Sequence, residues 1–179
     1  MIWFRFFIFA GLLCLCSSTH AQLTPPCFDG KSYRRLEIDN QRILTWNKTP
    51  ISQKRIERAL IRGVITKIVH RKRPARFPGT YHTVIDVRLG TLPDDVIRLY
   101  YNLNHGALPK LRIGTMLTAC GEYIKYPDYF RDQTQRYHYN QTETKKFRSN
   151  MPIMHYLHRS QNLWRSGFLM IDGVVYGNS

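Results

Sequence analysis

"KLRIGTMLTACGEY", residues 110–123, decides the fold. The stretch opens on Leu111, turns at Arg112 and Gly114, and then alternates as far as Gly121-Glu122-Tyr123. Successive side chains of an extended chain point to opposite faces, so Ala119, Gly121 and Tyr123 share one face and Cys120 and Glu122 the other. A basic-then-glycine turn leading into an alternating strand is a common entry into a small closed barrel, and the neighbouring sequence supports that choice.

Working outward, "YHTVIDVRL" (81–89) also alternates: Tyr81, Thr83, Ile85, Val87 and Leu89 lie on one face, His82, Val84, Asp86 and Arg88 on the other. "VIRLYYN" (96–102) is a further strand after the break "GTLPDD", and the β-branched "IRGVITKIV" (61–69) is an earlier one. "RKRPARFPGT" (71–80) holds two prolines and a glycine and cannot continue a ladder. "HGALPKLRIG" (105–114) has room for one helical turn, and Asp172-Gly173 in "GFLMIDGVVYG" is a two-residue hairpin signal. Five or six short strands without a long amphipathic helix predict an all-β chain, a small OB-like antiparallel barrel with an N-terminal arm and a long loop insertion. The arm covers residues 22–59, the barrel 60–179 and the insertion about 126–150. Within the arm, a hairpin is expected at Asp39-Asn40, and "SQKRIERAL" (52–60) reads as the start of a helix capped by Ser52.

The first 21 residues carry one positive charge, Arg5, an apolar run from Phe6 to Leu15, and small or polar residues ending at Thr19-His20-Ala21. This is the pattern of a secretory signal peptide, and the apolar run is too short to span a bilayer. Export to the periplasm or beyond the cell follows, with no integral membrane segment expected after cleavage. Two of the four cysteines leave with the signal. Cys27 and Cys120 remain as one pair in an oxidising compartment, which predicts a disulfide; two separate buried thiols are the alternative.

Lys and Arg number 27 against 12 Asp and Glu, a formal charge of +15. Between Lys54 and Arg76 stand nine basic residues and one acid, Glu57. An anionic polymer, nucleic acid or acidic polysaccharide, is the partner such a surface attracts, although a merely solvated basic face has the same composition. The candidate ligand-binding residues are Arg71, Lys72, Arg73 and Arg76, with Tyr126, Tyr129, Arg131 and Tyr137 from the aromatic and basic tract that follows the quoted strand. Aromatic side chains there offer stacking surfaces while cations follow a backbone; alternatively the tyrosines pack the insertion onto the barrel. The oligomeric state is open.

Catalytic chemistry has a thinner basis. The chain has no Gly-x-Ser-x-Gly and no phosphate-binding loop. "HYLHR" (155–159) places two of seven histidines three apart, on one face of a helix but on opposite sides of a strand. His82, Asn102, Glu122, His155 and His158 form a polar set in which His82, Glu122, His155 and His158 are the catalytic candidates. No cofactor is called for. Zinc or another divalent metal enters only if the backbone breaks between His155 and His158, so that both reach one ion with His82 or Glu122. Glu122, placed on an inner face beside Cys120, needs a partner, most simply an arginine. Three functions follow: a binding module for an anionic polymer, a metal-assisted hydrolase such as a nuclease, or a structural, protein-docking envelope protein.

"RGVITKIV", "GTYHTVIDVRL", "YNLN", "RIGTMLTACGEY", "HYLH" and "SGFLMIDGVVYG" together resemble, in order, the bacterial domain-of-unknown-function family 3465, over about residues 60–177. The most specific pieces are Gly121-Glu122-Tyr123 and His155-x-x-His158. The resemblance implies an exported OB-like barrel and brings no established activity. Thr83 stands where that family has Gln, Tyr101 where it has His, Thr115 where it has Asp and Phe168 where it has Trp, and 126–150 stands as an insertion.

Overall fold

Strand β1, Arg55–Lys72, is long enough to serve two partners, and that closes the barrel. Its first half, Arg55–Val64, pairs with β4 (Met116–Lys125), and its second, Val64–Lys72, pairs with β2 (Tyr81–Arg88). At the changeover sits Gly63, where a Cβ would collide with the Arg88 carbonyl and Val87, so glycine lets the end of β2 cross close to β1. A register slip between Ile65 and Lys67 adds the local twist a closing strand requires. β2 continues to β3 (Val96–Asn102), β3 to β5 (Ile153–His155) and β5 back to β4. The ring β1-β2-β3-β5-β4-β1 is a closed five-stranded OB-like barrel, antiparallel in every pairing except β3 with β5. A hairpin of β6 (Phe168–Ile171) and β7 (Val174–Tyr176) extends β4 outside the ring. Its turn is Asp172-Gly173, both at positive φ (49° and 81°), as the sequence predicts.

This computed structural model describes residues 24–72, 81–126, 151–155, 157–162 and 165–177, with the side chains of 70–72 excepted. The signal peptide and most of the 126–150 insertion lie outside the described residues. Among those described, no helix is long and apolar enough to cross a membrane.

The barrel interior is one apolar cluster: Ala59, Ile61 and Ile65 from β1, Ile85 and Val87 from β2, Ile97, Leu99 and Tyr101 from β3, Leu117, Ala119 and Tyr123 from β4, and Met154 from β5. Ala119 and Tyr123 therefore face inward as the alternation requires. Cys120 and Glu122 lie on the opposite face, so Glu122 stands on the outer wall and not on the inner face expected of it.

Asp39-Asn40 is not a hairpin turn. The Asp39 carboxylate accepts from the Arg42 N–H at 2.9 Å and caps a helix, α1 (Asn40–Lys48). The Asn40 amide bridges to the backbone of Arg62 and Leu89, fixing the helix start against β1 and β2. Ile43 and Leu44 of α1 enter the barrel core. At the other end of α1, the buried Lys125 ammonium donates to the carbonyls of Trp46, Asn47 and Thr49 at 2.6–2.9 Å. It satisfies acceptors the last turn cannot use and places a cation at the negative end of the helix dipole. "SQKRIERAL" belongs to β1 from Arg55 onward instead of starting a helix, so the barrel begins before residue 60. Its ten-residue ladder with β4 outweighs the local helical preference.

Outside the barrel wall, Cys27, Leu36, Leu60, Cys120 and Phe168 form a second cluster where the arm lies on β1, β4 and β6. Cys27 and Cys120 are joined by a disulfide, Cα to Cα 5.8 Å.

Candidate functional site

Register alone places a polar row around the outer wall. Arg71 of β1 is opposite His82 of β2, and Val84 is opposite Tyr100 of β3. The parallel pairing of Leu99 with Met154 sets Tyr100 beside His155 of β5; His155 is opposite Glu122 of β4, and Glu122 opposite Arg58 of β1. Gly121 makes the close approach of β5 to β4 possible, since a Cβ there would stand 2.6 Å from the His155 carbonyl oxygen.

Three rings in this row meet. His82 and His155 come from strands separated by β3, yet their centroids are 6.1 Å apart and their planes within 24°. Neighbouring strands are about 4.8 Å apart, so the two imidazoles lean toward one another above Tyr100. Tyr100 presents itself edgewise to both, at 6.5 Å to His82 and 6.4 Å to His155. All three side chains are half-buried.

Each acid of this wall has an arginine as its register partner. Arg98 grips Asp86 with two hydrogen bonds, Nε to Oδ1 at 2.7 Å and Nη2 to Oδ2 at 2.9 Å, with the residues only 8% and 7% exposed. Such a planar fork-to-fork contact is the strongest form of carboxylate recognition. Glu122 has Arg58 as its register partner across β4 and β1. Arg58 is itself 7% exposed and donates to the carbonyls of Phe28, Arg165 and Ser166 and to the Cys120 sulfur. Burial pushes its basicity down and Glu122 pushes it back up.

The two histidines of "HYLHR" part company. His155 stays on β5 with His82, while His158 lies beyond the strand and stacks on His105, centroids 3.7 Å apart and planes within 9°. His158 Nδ1 is 2.9 Å from the Arg159 carbonyl, an arrangement in which the ring nitrogen donates. His105 belongs to the 3₁₀ turn Leu103–His105, and its carbonyl accepts from the Tyr101 hydroxyl at 3.1 Å. Burial, then the neighbouring His158, holds its imidazole below the usual histidine range. Asn102 is opposite His82, but its side-chain oxygen caps that turn through the Asn104 N–H. Among the described residues, no three His, Cys, Asp or Glu side chains are grouped so as to hold a metal ion.

Of the ligand-binding candidates, Arg71 and Lys72 end β1, with only their backbone described, and Tyr126 is exposed with the Lys54 ammonium 4.9 Å above its ring. Arg73, Arg76, Tyr129, Arg131 and Tyr137 lie outside the described residues. Nearby, Trp46 carries two guanidinium groups, Arg42 at 4.9 Å and Arg55 at 5.3 Å. Tyr100 and His105 were not singled out from the sequence. Tyr100 was accessible to parity, because Ile97, Leu99 and Tyr101 claim the inner face of β3 and leave Arg98 and Tyr100 outside. His105 had no such signal. Thr83 and Tyr101, two of the departures from the family pattern, are register partners and almost fully buried, Tyr101 within the apolar cluster.

Comparison of the chain with protein-family models, with curated proteins and with solved structures returns no match in any of the three.

Proposed function

We propose that this chain is an exported OB-like module that binds an anionic polymer, and that it belongs with the family 3465 proteins it resembles. One observation carries the binding function. Among the described strand residues of the outer wall, Asp86 and Glu122 are the acids against Arg58, Arg62, Lys67, Arg88 and Arg98, so the wall is net positive. Lys67, opposite Asp86, and Arg88 are exposed there, and Arg71 follows Lys67 along β1. With a chain charge of +15, such a wall draws polyanions from solution. OB barrels bind extended polymers across the neighbouring strands 2 and 3, where the ring cluster sits. A metal-assisted hydrolase draws less support, because His158 leaves the set that would have to converge.

Replacing Lys67, Arg71 and Arg88 together by alanine should flatten the dependence of log K on log salt for a single-stranded oligonucleotide. Each phosphate contact contributes a slope of about −0.7, so the expected change is about 2. An unchanged slope would place the polyanion elsewhere or nowhere on the barrel.

A further inference from the structure

We infer that the anionic polymer is a single-stranded nucleic acid, and that His82, Tyr100 and His155 are the platform on which its bases stack. This rests on the polyanion-binding function proposed above and adds to it the chemical class of the ligand and the place where it is read.

The layout of charge and rings separates the two polymer classes. In an acidic polysaccharide the negative groups are carried on the sugar rings themselves, so a protein that stacks on those rings must interleave cations with its aromatic contacts. A single strand of nucleic acid has its charge along one edge, in the phosphates, and its flat π faces along the other. The wall described here is segregated in the second way. Lys67 and Arg71 run along β1, while the rings occupy β2, β3 and β5 beside it, Arg71 and His82 being direct register partners. On the ring-bearing strands Arg98 is held by Asp86, and Arg88 stands at the opposite end of β2 from His82; Arg58, on β1, is held by three backbone carbonyls. With strands about 4.8 Å apart, a phosphate chain over β1 lays its bases across β2 and β3. Imidazole and phenol rings offer the sequence-tolerant stacking that every base can use.

Binding of the mature chain to oligothymidylate, to an abasic deoxyribose-phosphate oligomer of equal length, and to heparin distinguishes the cases. The two oligomers match in phosphate charge and differ only in bases. The expected result is tighter binding to oligothymidylate than to the abasic oligomer by about 5- to 150-fold, the range that one stacked base commands. Tyr100→Leu and His155→Leu, which keep apolar volume and remove the ring, should erase that preference while leaving abasic binding within about twofold. Equal binding of the two oligomers by the wild-type chain overturns the stacking platform and leaves the polyanion function standing. Heparin bound more tightly than oligothymidylate at equal charge assigns the wall to acidic polysaccharide and also overturns it. No binding of any of the three defeats both the inference and the function it rests on. Should the leucine variants fail to fold, the wild-type comparison of base-bearing with abasic strand decides alone.

Discussion

Removing the Cys27–Cys120 disulfide, by a Cys27→Ala/Cys120→Ala double substitution, is expected to lower the unfolding free energy by about 4–5 kcal/mol. The cysteines are 93 residues apart, and the chain between them contains α1, β1, β2 and β3. Cross-linking so long a segment removes much of the conformational freedom of the unfolded chain, and in the chain-entropy model this grows with loop length. Small domains have only about 5–15 kcal/mol in total, so the loss is a large share of the whole. Urea denaturation of the variant against wild type measures it. A change below about 1 kcal/mol would mean that the arm is held by Leu36, Leu60 and Phe168 without help from the bond.

Arg58→Met should cost about 3 kcal/mol or more, because three backbone carbonyls lose a charged donor at about 1–3 kcal/mol each. The guanidinium reaches three segments at once: the arm through Phe28, the loop before β6 through Arg165 and Ser166, and β4 through Cys120. Methionine fills comparable volume but leaves three carbonyls without a donor. Arg58→Lys restores the charge but not the fork, and should recover only part of the loss. Because Arg58 touches Cys120, its effect and that of the disulfide should not add, and a triple variant measures the coupling. A stability within about 1 kcal/mol of wild type for Arg58→Met would contradict this role.

The barrel was legible because its strands alternate over apolar inner faces. Ile85 and Val87 of β2, and Ala119 and Tyr123 of β4, announce their faces by period alone, and Asp172-Gly173 announces its turn. Closure was not legible in the same way: it depends on β1 changing partners at Gly63 and on the parallel pairing of β3 with β5, and neither is a local property of sequence. The helix was missed because its apolar content is slight, with Ile43 and Leu44 the buried residues, and because two of its determinants are distant. Lys125 caps it from β4, and Asn40 ties it to β1 and β2. At the candidate site, sequence spacing grouped His155 with His158, whereas the fold pairs each with a histidine far away in the chain, His82 and His105. His155 ends β5 and His158 lies beyond it, and only tertiary structure could supply their partners.

Equilibrium binding of a single-stranded oligonucleotide to the wild-type mature chain, measured from low to physiological salt, tests polyanion binding most directly. Log K should fall linearly with log salt, with a slope of about −0.7 for each phosphate neutralised. No binding at low salt, or an affinity indifferent to salt, would contradict it.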